Sequence, residues 1–491
     1  MGADVWTARP TARAVAAGST WQLVTFLARF VGGFAAVVLV ARAGGPAELG
    51  TLQLALTVAG LLMTLVGFGL PNLIAREIAR APDRSRLWIE ATVFAALVAG
   101  AGLTVLTAVV PSLWGADARA TLPFVVAVAS LGFDASARVL FAAFWGWERM
   151  HLESLATWLQ EGAYVLSAVV VVRGGGGATA VLLCYTASRA LGAVAGWLLA
   201  NRWVDAVLVP RPHRHFLLPT LRRSAPFAAD DLLSMAYIRA DSVLLGLMKG
   251  QTAVGLYQAG TNLVLNCNVL ARMFNNALYP RMSRCWPDRI ERLSRLRVFS
   301  LRILALIGLP ITVASLLLAS RIIPAVYGDG FGSAVFCFQL LALVIPMRML
   351  GHTLGTTLTA ADGQVWRTWG VAAAAAANIG LNLVLVPSLS YVGSAWATLV
   401  TELGLLVGYS VLVRRRTGSS GLVEALAVPA AACLPLAAVL LVLDGAPLLL
   451  AATAGAVGYA AGVAAALGLR LLVTPARDPR AAVSAYLLGG G

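Results

Sequence analysis

The chain has 491 residues, of which 59% are hydrophobic and only 12% charged, and its mean hydropathy is +0.82. A water-soluble protein of this length needs far more charge to cover its surface, so lipid is the main solvent. The net charge of +15 does not point to nucleic acid, because the basic residues sit in short loops between apolar runs and not on one soluble domain. The five cysteines, Cys184, Cys267, Cys285, Cys337 and Cys433, have no paired spacing, and the four histidines, His151, His213, His215 and His352, have no ligand spacing. Neither a disulfide framework nor a metal site is indicated, and no cofactor is expected.

A membrane span needs roughly 20 apolar residues, and this rule marks fourteen along the chain. Arg9 and Arg13 precede a first apolar run, 15–42, that is too long for a signal-peptide core. Spans at 49–70, 89–111, 118–146, 154–172 and 179–201 follow. The connection 202–222 leads to spans at 223–248, 253–280, 298–320, 333–359, 367–387 and 391–413, and then to 422–443 and 447–473, with a tail at 474–491. The expected fold is an all-α polytopic membrane protein. The N-lobe is 15–201, an inter-lobe linker is 202–222, the C-lobe is 223–413, and two further helices fill 422–473.

Loop cations fix the orientation. The alternate loops hold only Arg119, Arg173, Lys249 and Arg321, while the other set holds runs such as Arg76 to Arg86, Arg281 to Arg297 and Arg414 to Arg416. This alternation suits fourteen crossings in a cytoplasmic, inner membrane, with both termini cytoplasmic. Residues 71–88 and 280–297 alternate arginine with apolar residues. They read equally as amphipathic helices lying on an anionic leaflet or as ordinary basic loops. A shift of 205 residues places Gly50 on Gly255, Gln53 on Gln258, Arg76 on Arg281 and Arg84 on Arg289. Spans 1–6 and 7–12 are therefore read as two six-helix lobes in a pseudo-two-fold arrangement, the axis running along the membrane normal.

The segments at 44–80 (GGPAELGTLQLALTVAGLLMTLVGFGLPNLIAREIAR) and 237–263 (YIRADSVLLGLMKGQTAVGLYQAGTNL) carry a resemblance. So do ALYPRMSR at 277–284 and the stretches 341–364 and 378–402. They resemble the polysaccharide-transporter branch of the multidrug/oligosaccharidyl-lipid/polysaccharide exporter superfamily, with Asp241 and Gly255–Tyr257 matching its Asp…GxY pattern. The resemblance spans 15–413. It implies alternating access between two lobes, and export of an undecaprenyl-diphosphate-linked oligosaccharide for polysaccharide biosynthesis. Membrane lipids and polysaccharide polymerase or assembly proteins are the other implied partners.

Ionisable groups at bilayer depth cost roughly 2.5–3.5 kcal/mol each on insertion scales and usually face a polar cavity. The spans carry Arg29, Asp134, Arg138, Glu161, Arg189, Asp230, Asp231, Arg239, Asp241, Arg272, Arg348 and Glu402. Guanidinium forks bind phosphate oxygens bidentately. Arg29, Arg189 and Arg348, nearest the midplane, are expected either as diphosphate contacts or, equally, as members of gating salt bridges, with Arg138 and Arg272 nearer the cytoplasmic side where a substrate enters. Trp145, Trp147, Trp158, Tyr237 and Tyr257 are candidates for stacking on sugars. Against this stands a structural reading. Asp134 and Arg138, spaced i, i+4, meet on one helix face and neutralise each other. Glu161, Asp230, Asp231 and Glu402 serve either as partners of nearby arginines or in coupling to a proton or sodium gradient. Arg239 and Asp241, spaced i, i+2, do not meet along the helix; they and Asp134 are further candidates for ion coupling or gating, and Asp241, toward the outer end of its span, reads also as an interfacial anchor.

Three other functions remain in view. A multidrug cation antiporter would be expected to have an acidic cavity. The last two spans suit a peptidoglycan-precursor flippase. A membrane glycan ligase or polymerase commonly has a sizeable extracytoplasmic loop, and here the outer loops are short. No nucleophile–base pair or nucleotide motif is apparent, so a transporter is expected in preference to an enzyme.

Overall fold

The computed structural model describes residues 12–113, 117–202 and 207–473; the expected tail at 474–491 lies outside them. The described residues form thirteen α-helices and no strand. They are α1 (Ala12–Gly67), α2 (Leu70–Arg80), α3 (Ser85–Leu113), α4 (Ala118–Gly146), α5 (Met150–Arg173), α6 (Ala178–Ala200) and α7 (Arg214–Ser283). The remaining six are α8 (Ile290–Tyr327), α9 (Ala334–Ala342), α10 (Val344–Ala360), α11 (Gln364–Thr417), α12 (Leu422–Val442) and α13 (Leu448–Val473). Ten helical stretches among the described residues are long and apolar enough to cross a membrane. The chain is a multi-pass, all-α membrane protein.

Three helices are too long for one crossing. α1 has 56 residues, roughly 80 Å at 1.5 Å per residue, against a hydrocarbon core of about 30 Å. Its backbone breaks at Gly45 (φ 70°, ψ −165°), a conformation open essentially only to glycine. Pro46 then opens the second limb with a preset φ. α7 breaks in the same way at Gly250 (φ 79°, ψ −174°). Gly45 and Gly250 are related by the same 205-residue shift that aligns the two sequence segments, so the internal repeat extends to a backbone device. α11 breaks at Ser390 (φ 52°, ψ −135°), just after Pro387. There a Cβ on Gly393 would come within 2.6 Å of the Leu385 carbonyl oxygen.

The two basic segments differ from each other. Residues 71–88 do contain an amphipathic helix, α2, but its apolar face does not lie on lipid. Leu70, Leu73, Ile74 and Ile78 are buried against Phe144, Ala143 and Val139 of α4 and Trp88 and Ile89 of α3. Hydrophobic burial inside the protein replaces the leaflet contact. The 280–297 segment forms no separate helix. α7 runs through Ser283, and α8 starts at Ile290 with Leu293 and Arg297 already buried.

By its internal contacts the chain divides into two compact units, Met1–Val243 and Leu244–Gly491. In the first unit α3 and α4 approach closely at glycines, where a Cβ on Gly100 would lie 2.5 Å from Gly132 Cα. In the second unit α8, α10, α11 and α12 share a core around Leu301, Leu354 and Tyr409. α12 and α13 are held to α8 by Leu318, Leu436, Leu440 and Ala451. The Arg302–Glu424 ion pair and a hydrogen bond from Tyr459 Oη to the Leu306 carbonyl (3.0 Å) add to that attachment.

Candidate functional site

In the first unit, four helices direct polar residues at one cavity of about 240 Å³. The helical period puts Gln22, Thr25, Arg29 and Gly33 on one stripe of α1, and Asp134, Arg138 and Phe141 on one stripe of α4. α5 supplies Gln160, Glu161 and Tyr164, and α6 supplies Tyr185 and Arg189. Arg29, Asp134, Arg138, Glu161 and Arg189, singled out separately in the sequence, thus line one space.

Each guanidinium there is met by one carboxylate. Arg189 Nη2 donates to Glu161 Oε1 at 2.8 Å, and its Cζ lies 4.4 Å from the centre of the Tyr185 ring. Gln160 Nε2 donates to the same Glu161 oxygen at 3.2 Å. Arg138 Nε donates to Asp134 Oδ2 at 3.1 Å, the i, i+4 contact its spacing allows. Arg29 Nη2 donates to Glu153 Oε1 at 3.3 Å, and its Cζ lies 5.9 Å from the Phe141 ring centre. These contacts leave donors unused. The buried Arg189 Nε has no hydrogen-bond partner among the described residues. The side chains of Arg29 and Arg138 are 45% and 52% exposed. A guanidinium has five N–H donors, so the cavity holds three positive groups, each anchored by a carboxylate and keeping donors that its partner does not use.

Glu153 is the residue that sequence reasoning missed. Its side chain is 1% exposed, and its carboxylate also accepts from Gln22 Nε2 at 3.0 Å and Trp145 Nε1 at 2.5 Å. It lies one residue before the span boundary at 154, where a charged residue passes for an interfacial one; its signal is only the i, i+7 spacing to Gln160 on the same face of α5. Tyr164 and Tyr185, whose rings meet edge to face at 5.4 Å, were missed as well. Among the proposed sugar-stacking aromatics, Trp145 is bound to Glu153 and Trp147 to Ser85 Oγ (3.1 Å). Tyr257 is buried against Thr398 (3.1 Å), Trp158 is exposed, and the side chain of Tyr237 lies outside the described residues.

The remaining candidates are not part of this cavity. In the second unit Arg348 Nε donates to Glu402 Oε1 at 2.6 Å. Arg272 is exposed on α7 and joins Arg348, Glu402 and Arg367 in the electrostatic surroundings of His352. Arg239 is half-buried. Asp241 is buried, its Oδ1 accepting from the Ser242 backbone N–H at 2.6 Å and from Ser242 Oγ at 3.1 Å. Asp231 is exposed, and the side chain of Asp230 lies outside the described residues.

A polytopic helical bundle with paired charges around an internal cavity defines a class of membrane protein, and the comparisons place the chain within it. The model of the polysaccharide biosynthesis protein family matches residues 13–286, more than half of the chain, and the chain belongs to that family. It is 26% identical over 162 residues to the lipopolysaccharide biosynthesis protein WzxC of Escherichia coli (strain K12), covering 30% of this chain and 31% of that one. It is 25% identical over 176 residues to the probable flippase AglR of Haloferax volcanii, covering 35% and 37%. The chain thus spans about a third of the length of these two relatives. The fold is that of the lipid II flippase MurJ in an inward closed conformation, with a TM-score of 0.74 at 13% identity over 92% of this chain and 99% of that one. An inward-facing multidrug transporter of the MATE family in the MOP superfamily matches at 0.67 and 16% identity, over 82% and 98%.

Proposed function

We propose that this protein is a flippase that carries an undecaprenyl-diphosphate-linked oligosaccharide from the cytoplasmic to the outer leaflet of the inner membrane by alternating access. The observation that carries the reading is the cavity ringed by Arg29, Arg138 and Arg189, each keeping unused donors. A diphosphate leaving water needs its hydration replaced, and preformed guanidinium forks supply charge-assisted hydrogen bonds in a poorly hydrated site. Glu153, Asp134 and Glu161 balance the arginines while the site is empty. The substrate displaces them as partners, so the ion pairs exchange and no bare charge is left at depth.

The names of the relatives support this class of cargo, since WzxC is a lipopolysaccharide biosynthesis protein and AglR a probable flippase. The placement of both ends in the cytoplasm rests on the arginine-rich loops, and the count of fourteen crossings on the limbs of α1, α7 and α11. A cation antiporter is disfavoured because the carboxylates of this cavity are all engaged by guanidiniums. The test is to delete the gene and identify the lipids that accumulate. The proposal expects a diphosphate-linked oligosaccharide retained on the cytoplasmic leaflet. Unchanged glycolipid pools with a raised sensitivity to cationic drugs would overturn it.

A further inference from the structure

A second cavity, of about 390 Å³, lies in the first unit away from the charged one, between the end of α2, the start of α3 and the first turns of α7. Its floor is apolar. Trp88 and Phe216 meet edge to face at 4.4 Å, with Leu87 and Pro219 beside them. Its rim carries the guanidiniums of Arg84 and Arg223, both exposed and neither in an ion pair among the described residues. The one carboxylate in the lining, Glu77, is already engaged by Arg76 at 3.0 Å and Arg80 at 3.9 Å. The cavity is therefore positive at the rim and greasy beneath.

The cavity is held in shape from below. Glu90 of α3, buried, accepts from Arg86 Nε (3.0 Å) and from the Val209 backbone N–H (3.0 Å), and lies 3.4 Å from His213 Nε2. These contacts strap the segment leading into α7 against α3. Thr220 is buried, with its hydroxyl donating to the Phe216 carbonyl at 2.7 Å. The walls are thus fixed by contacts that do not use Arg84 or Arg223.

We propose that this cavity binds an anionic phospholipid, with its phosphate between Arg84 and Arg223 and its glycerol and upper acyl carbons on Trp88, Phe216, Leu87 and Pro219. The rim supplies charge-assisted hydrogen bonds to phosphate oxygens. The aromatic floor at the first turn of a membrane-crossing helix is suited to the headgroup boundary. A free phosphate would satisfy the rim but leave the floor uncovered, so the lipid is the better occupant. The site is separate from the cavity of Arg29, Arg138 and Arg189 and does not depend on what that cavity carries.

The test is native mass spectrometry of the detergent-purified full chain. It is titrated with dioleoylphosphatidylglycerol, with dioleoylphosphatidylcholine and with inorganic phosphate. The expected result is retention of the anionic lipid at roughly tenfold lower concentration than the zwitterionic one. Arg84→Gln/Arg223→Gln is expected to lose that preference, while the charge-matched control Arg202→Gln/Arg222→Gln keeps it. Thermal unfolding without added lipid checks that both variants are folded. Equal retention of the two lipids, or equal loss in the control, would overturn the site in favour of diffuse attraction to basic loops. Competition by inorganic phosphate at comparable concentration would overturn the lipid in favour of a free anion.

Discussion

Arg189 and Glu161 form the most enclosed ion pair of the cavity, at 2.8 Å, with side chains 9% and 5% exposed. Removing one partner of such a pair strands the other charge, at a cost of about 3–5 kcal/mol, whereas neutralising both is often tolerated. Arg189→Gln is therefore expected to lower the thermal midpoint sharply, and Arg189→Gln/Glu161→Gln to recover most of it. Glycan export is expected to stay lost in both variants; a pair with a purely structural role would give export back in the double variant. Gly32 is the neighbour that admits Glu161, since a Cβ there would lie 2.7 Å from Glu161 Oε2. Gly32→Ala is predicted to reduce export severalfold, while Gly60→Ala in the same helix, with nothing within 4 Å of the added carbon, leaves it unchanged. The arginines were legible in the sequence because a charge at bilayer depth stands out against its apolar run. Glu153 was not, because hydropathy placed it outside the span and only the fold brings it to Arg29.

The long helices show how much of an element its sequence pattern carries. Apolar length marked the spans, and the 205-residue shift aligned Gly50 with Gly255. The same shift relates the two breaks at Gly45 and Gly250, where glycine is needed for φ near +70° and +79°. Gly45→Ala and Gly250→Ala are each expected to cost about 1–3 kcal/mol through backbone strain alone. This would be measured as a lowered unfolding temperature in detergent, since neither position has a neighbour within 4 Å to clash with. α2 shows the limit of such patterns. Amphipathicity says that one face is apolar but not what covers it, and here α3 and α4 cover it, not lipid. Ile74, fully buried in that contact, separates the two readings. Ile74→Ala is expected to destabilise the purified protein by about 2–5 kcal/mol. A helix resting on the leaflet would show little change in detergent.

At the scale of the molecule, the fold class, the membrane setting and the family follow from composition, loop charge and ordered motifs. Those motifs run along the whole of 15–413, so many weak signals add. The grouping of the charges was less visible, because residues 28 to 160 positions apart in the chain share no local pattern. Arg29, Arg138 and Arg189 converge on one cavity of the first unit, whereas Arg272 and Arg348 belong to the second unit, where Arg348 pairs with Glu402. The account of function rests on the first group. Its most direct test is a reconstituted flipping measurement. The purified protein is placed in liposomes carrying an undecaprenyl-diphosphate-linked oligosaccharide, and the fraction of glycan newly accessible to a membrane-impermeant sugar-modifying enzyme is followed. The account predicts transfer by the wild-type chain and near-complete loss in the folded Arg189→Gln/Glu161→Gln variant; equal transfer by the two proteins, or none by the wild type, would contradict it.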